Sequence, residues 1–187
     1  MKKIIAIFCS MCYTEEKDID RCTMKILVFS DSHSSLRFMR DAIHRVKPNA
    51  VIHLGDHYDD GQALAEENPQ MMFYQVPGNC DRYRCSDLVP QILCCRVCGV
   101  DLYMTHGHLH KVKMTTYSLL ADARAAKAQV VLYGHTHVAD CRFEGDLWVL
   151  NPGSCGYGGG SCGLLEADSG KIISCRIMNQ QDLEELQ

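Results

Sequence analysis

From residue 25 onward, short apolar runs alternate with amphipathic stretches. Residues 25–30 predict a strand. Over residues 34–47, Leu36, Met39, Ile43 and Val46 recur at three- and four-residue steps, which predicts a helix that Pro48 stops. Residues 50–54 predict a second strand, 61–67 a shorter helix and 72–76 a third strand. Residues 91–97 and 101–105 read as a strand pair around Gly99, and the Ala- and Leu-rich stretch 115–127 as a helix. Strands follow at 130–133, 141–143, 147–150, 162–166 and 172–178, the last two joined by a hairpin turn in the sequence ADSGK. A βαβαβ start followed by a β-rich part predicts an α/β domain with more than one sheet and helices on the outside.

The 187 residues suit one domain with a sizeable core, and neither an internal repeat nor an interdomain linker is visible. Residues 24–178 form the predicted domain and 179–187 a polar C-terminal tail. Residues 1–23 stand apart: two lysines precede a short apolar run, and the text restarts at Met24 with MKILVFSDSH. The run is too short to span a membrane and lacks a small-residue cleavage site, so it reads as an over-extended start or a disordered leader.

The net charge of −4 argues against a general basic surface for nucleic acid. The 12 cysteines exceed what a domain of this size needs as staples, and without a signal peptide they read as reduced, apolar filler of a cytoplasmic protein. Cys95 and Cys98 form a C-x-x-C within a strand-like run, with no matching second pair to complete a zinc site. The run GYGGGSCG reads as a flexible loop, because no Gly-Lys-Ser/Thr follows to make it a phosphate loop.

The polar residues fall at strand ends. Successive predicted strands end in Asp31-Ser32-His33, in Gly55-Asp56-His57-Tyr58-Asp59, in Gly78-Asn79-Cys80-Asp81, in His106-Gly107-His108 and in Gly134-His135-Thr136-His137. In open α/β sheets the carboxyl ends of the strands are where ligands bind. A lone D-x-H is weak, but five such ends in order offer carboxylate, amide and imidazole to one crevice. That donor set, without thiolate, suits divalent manganese, iron or zinc, and two ions sharing a bridging carboxylate would use all of it.

The order D-x-H, G-D-x-x-D, G-N-x-D, H-G-H, G-H-T-H and Asn151-Pro152-Gly153-Ser154 resembles the calcineurin-like metallophosphoesterases, within them the small cap-less phosphodiesterases of the YfcE type. The resemblance implies a four-layer α-β-β-α sandwich of two mixed sheets flanked by helices, with no cap domain. It implies one metal held by Asp31, His33, Asp56 and His137, and a second by Asp56, Asn79, His106 and His135. It places His108 and the 151–154 turn near the site, with His57 as a neighbour, and makes Asp56, Asn79, His106 and His108 the catalytic set. His44, His53 and His110 lie outside the motif. The implied cofactors are two divalent ions, manganese first, with iron, zinc or nickel as alternatives. The implied reaction is attack on a small phosphate ester by hydroxide bridging the two metals.

Cys80 has Ser86 where a cysteine-dependent phosphatase has arginine, which excludes a phosphocysteine mechanism. Larger relatives carry a leaving-group acid, histidine, at this position. A thiol is a poor substitute, so esters with good leaving groups are expected. A phosphomonoesterase remains an alternative, as does a non-catalytic interaction scaffold like the retromer subunit Vps29. No membrane partner is expected, and a homo-oligomer is left open.

Overall fold

The computed structural model describes residues 23–83, 85–86 and 88–186. The leader expected over residues 1–23 lies outside them except for Thr23, which opens the first strand.

Ten strands form two mixed five-stranded sheets. The first contains β1 (Thr23–Phe29), β2 (Ala50–His53), β3 (Met72–Gln75), β9 (Ser161–Asp168) and β10 (Lys171–Asn179), in the order β10-β9-β1-β2-β3. The second contains β4 (Ile92–Val97), β5 (Val100–Thr105), β6 (Val130–Leu132), β7 (Asp140–Glu144) and β8 (Leu147–Asn151), in the order β4-β5-β6-β8-β7. Strands β1, β2 and β3 run parallel, as do β5, β6 and β8; β9 runs antiparallel to β1, and β9–β10, β4–β5 and β7–β8 are antiparallel hairpin pairs. Two-residue turns close the β4–β5 and β9–β10 hairpins, with positive φ at Cys98-Gly99 and Ser169-Gly170, matching the strand twist.

Alternation along β1 explains the layering. Ile26 and Val28 face the second sheet with Ile52, Leu102, Met104 and Leu132. Leu27 and Phe29 point the other way, onto Phe38, Met39 and Ile43 of helix α1 (Arg37–Val46) and Leu64 of α2 (Tyr58–Glu67). On the far side of the second sheet, Tyr103, Val131 and Val149 pack on Leu119, Leu120 and Ala123 of α3 (Tyr117–Ala125). The result is the helix–sheet–sheet–helix sandwich, with no cap inserted among the described residues.

Two helix starts differ from the periodicity. Helix α1 begins at Arg37 rather than at 34, because His33 and Ser34 adopt left-handed backbone (φ 45° and 69°) that no helix continues. Helix α2 begins at Tyr58, ahead of its apolar residues, since Asp59 and Asp60 favour a helix N-terminus. The polar C-terminal residues add a short helix, α4 (Gln180–Glu184). Asn179 Oδ1 caps it by accepting the Gln181 and Asp182 amides, its own amide donates back to Asp182 Oδ2, and Leu183 is buried with the α1 cluster.

Candidate metal centre

The carboxyl ends of the parallel strands of both sheets meet at one edge of the sandwich. Ligand atoms of Asp31, His33, Asp56 and His137 all lie within 4.8 Å of one another there. Asp31 and His33 follow β1, Asp56 follows β2, and His137 follows β6 in the opposite sheet.

Asp31 is fully buried and its two oxygens are treated differently. Oδ2 accepts from Ser30 Oγ at 2.6 Å and from the His135 amide at 3.0 Å. Oδ1 has no hydrogen-bond partner and lies 3.1 Å from His137 Nε2. His33 Nε2 is likewise buried and unpartnered. Orphaned buried polar atoms are costly unless something charged satisfies them. A lone-pair nitrogen and a carboxylate oxygen left open in one cluster fit a divalent cation.

Beside this cluster, His106 is buried, with its Nδ1 2.8 Å from the Leu54 carbonyl oxygen. A carbonyl only accepts, so Nδ1 carries a proton, and Nε2 is the ring nitrogen left to face the crevice. Nε2 lies 3.2 Å from Asn79 Oδ1 and 3.5 Å from Asp56 Oδ1. His106 Nε2, Asn79 Oδ1 and Asp56 Oδ1 thus converge. The His135 ring lies 5.1 Å from that of His106. His108 stands next to both, its Nδ1 buried without a partner. Asp56 therefore touches both groups of donors.

Burial holds the His33 and His108 imidazoles below their ordinary pKa, and brings His135 down to about 4 with help from His106 and Lys113. Neutral imidazole is the metal-binding form. Burial alone would raise Asp56, but His106 and the Cys80 amide and thiol reverse this and keep its carboxyl ionised. Burial and the bond to Asp56 push the Cys80 thiol up to about 11. At neutral pH Cys80 is a thiol donating to Asp56 Oδ2, not a nucleophile.

The backbone explains the glycines. A Cβ on Gly78 would collide with Asp56 Oδ1, and one on Gly134 with Ser30 Oγ. Asp31, His33, Asp56, His135 and His137 all have φ between 45° and 69°. Such conformations cost non-glycine residues about 1–3 kcal/mol each and gather where function over-determines the backbone.

The motifs place several supporting residues near the site without explaining their roles. Buried Asp81 accepts the amides of His57 and Tyr58 on Oδ1 and of Gly78 on Oδ2, tying two ligand loops together. Asn151 donates to the Gly134 carbonyl and to Thr136 Oγ1, bracing the His135–His137 loop. Ser154 Oγ donates to the Asp31 carbonyl at 2.7 Å. Ser32 links buried His53 to Asp60. Asp81, Asn151 and Ser154 stand in the quoted motifs, whereas for Ser30 and Ser32 only their placement beside Asp31 hints at such roles in the sequence. His57 stands beside His33 and bonds Ser34, His110 is buried against Tyr103 and Asp122, and His44 is exposed.

Residues 24–170 match the model of the calcineurin-like phosphoesterase superfamily domain. Phosphodiesterase MJ0936 of Methanocaldococcus jannaschii is 30% identical over 157 residues, 76% of this chain and 87% of that protein. A protein of Streptococcus pneumoniae, described as a predicted phosphoesterase, superposes with a TM-score of 0.69 at 27% identity, covering 86% of this chain and 91% of its own. Vacuolar protein sorting 29 of Cryptosporidium parvum superposes with a TM-score of 0.65 at 15% identity, covering 84% of this chain and 99% of its own, a likeness of fold alone.

Proposed function

The chain belongs to the calcineurin-like phosphoesterase superfamily, and on that premise we propose that it is a phosphodiesterase acting on small phosphate esters with two divalent metal ions, manganese first. The observation that carries the reading is the pair of buried, unpartnered donors Asp31 Oδ1 and His33 Nε2 beside Asp56 and His137. Asp31, His33, Asp56 and His137 would hold one ion, and Asp56, Asn79, His106 and His135 would hold the other. When bound, the two ions make water nucleophilic near neutral pH and offset charge on the phosphoryl oxygens.

The protein's own part is positioning. Ser30 and the His135 amide fix one oxygen of Asp31 so that the other stays turned to the crevice. The Leu54 carbonyl fixes the tautomer of His106. His108 stands at the rim and, held neutral by burial, hydrogen-bonds a phosphoryl oxygen through its protonated nitrogen. No side chain becomes covalently attached to phosphorus.

Reconstitution with manganese followed by assay on a chromogenic phosphodiester and the matching monoester tests this. Two metal ions per chain and faster diester hydrolysis are expected. A monoester preference would make the enzyme a phosphomonoesterase. A metal-free, inactive protein after reconstitution would favour the interaction scaffold suggested by the Vps29 fold likeness.

A further inference from the structure

Tyr157 lies in the glycine-rich loop that the ligand motifs leave unexplained. Its ring is stacked on His137 at an interplanar angle of 15° and 5.6 Å between centroids, and tilted against His33 at 5.1 Å. Tyr157 is 59% exposed. Its position is fixed by the metal loop itself. Ser154 Oγ accepts the amides of Gly156 and Tyr157 at 3.2 Å while donating to the Asp31 carbonyl. The amides of Cys155 and Gly156 donate to the carbonyls of Ser30 and Asp31. Gly156 permits this, because a Cβ there would collide with the Ser32 carbonyl. An exposed aromatic surface is thus pinned beside two metal-site histidines, at the mouth of the crevice.

We propose that Tyr157 is a stacking wall of the crevice and that the favoured esters carry a planar aromatic group, as nucleotide esters do. This rests on the phosphoester reading of the same site. Stacking on an aromatic side chain is sequence-tolerant, since every base has a π-face, and strong enough to decide between esters.

Calorimetric binding to the manganese-loaded protein tests it with two probes that share ribose and phosphate: adenosine 5′-monophosphate and ribose 5-phosphate. The nucleotide is expected to bind roughly fivefold or more tighter. Tyr157→Ala should erase that ratio and Tyr157→Phe keep it, with ribose 5-phosphate affinity unchanged in both. A ratio near one in the wild type, or a ratio untouched by Tyr157→Ala, overturns the stacking wall. Failure of both probes to bind overturns the phosphoester site and the wall with it, whereas ribose 5-phosphate binding without a nucleotide advantage leaves the site standing.

A separate observation concerns Cys141 on β7 and Cys175 on β10, edge strands of opposite sheets. Their Sγ atoms lie 3.0 Å apart, both half-buried. We infer that they form a reversible disulfide clasp between the sheets when a low-molecular-weight disulfide acts as oxidant. One protein thiolate attacks the reagent and releases one thiol. The second protein thiolate then attacks the mixed disulfide and releases the other. Two protein thiols are oxidised and one reagent disulfide is reduced to two thiols.

Equilibration of the native chain with oxidised glutathione, alkylation and peptide mapping should yield a Cys141–Cys175 cross-link and raise the melting temperature by about 5 °C. Cys141→Ser should abolish both. A map without this cross-link, or an equal thermal shift in Cys141→Ser, overturns the clasp.

Discussion

His106 donates from Nδ1 to the carbonyl of Leu54, 2.8 Å away, and so turns Nε2 toward Asn79 and Asp56. Neither oxygen has a hydrogen to offer that nitrogen, so a cation between them would satisfy all three atoms, as the proposed second ligand group requires. His106→Ala should therefore cost one of two bound manganese ions per chain and lower kcat/KM on a chromogenic diester roughly hundredfold or more. Metal analysis alongside kinetics checks this. Full metal content in the variant would count against the second ligand group.

Asp56 sits between the two groups of donors, so in the proposed two-metal centre its charge would serve both ions. Asp56→Asn keeps the shape and removes the charge, and activity should be lost. Manganese at about a hundred times its dissociation constant should stabilise the wild type by about 2.7 kcal/mol. That corresponds to about 5–10 °C in melting temperature for a chain of this size. The variant should lose most of this shift, and chelation of the wild type should abolish it. A variant that keeps the shift and the activity would remove Asp56 from the centre.

Asp81 is a positioning residue rather than a ligand. Three backbone amides converge on its buried carboxylate. Hydrogen bonds to a charged group are worth about 1.5–3 kcal/mol each, and the Gly78 amide would be left buried without a partner. Asp81→Ala should lower unfolding stability by about 3 kcal/mol or more, measured by urea titration of the metal-free chain. A loss below about 1 kcal/mol would mean water replaces the carboxylate.

The convergence of Asp31, His33, Asp56 and His137 is legible because each follows an apolar strand, and carboxyl ends of parallel strands share an edge. Helix α1 is legible for the same reason of period: Met39, Ile43 and Val46 bury one face. What pattern cannot reveal depends on closure over long separations. The bond from Ser154 to Asp31 spans 123 residues and the Cys141–Cys175 contact joins different sheets. Local conformation is hidden too. Nothing in the side chains of His33 or Ser34 announces left-handed backbone, which delays the start of α1 to Arg37. Helix α4 carries too few apolar residues to show a period, and only docking of Leu183 against the α1 cluster reveals it.

His53 gives the metal-free protein an acid sensitivity of its own. It is wholly buried, and burial lowers its pKa from 6.5 to about 4 despite the nearby carboxylates Asp60, Asp81 and Asp31. Between those values the unfolded chain takes up a proton that the folded chain does not. Stability contributed by the neutral ring is thus present above pH 6.5 and is lost as the pH falls toward 4, by about 3 kcal/mol in all. Urea titrations from pH 7 to 4 should show this slope in the wild type and a shallower one in His53→Gln. Equal slopes would assign the acid sensitivity to other groups.

Cys80 donates to Asp56 Oδ2 from 3.3 Å, and its thiol titrates near 11. A thiol that weakly acidic is a poor proton donor to an alkoxide leaving group, and it supplies no nucleophile at neutral pH. Cys80→Ser should keep the hydrogen bond to Asp56 and most of the activity. Across diesters whose leaving groups differ in acidity, the wild type should slow steeply as the leaving group becomes more basic. Cys80→His should flatten that dependence, with a gain of roughly tenfold or more on the most basic leaving groups, the scale of general acid catalysis. Single-turnover rates on the ester series, with chemistry rate-limiting, provide the check. A flat dependence in the wild type would mean that a proton donor other than residue 80 already serves the leaving group.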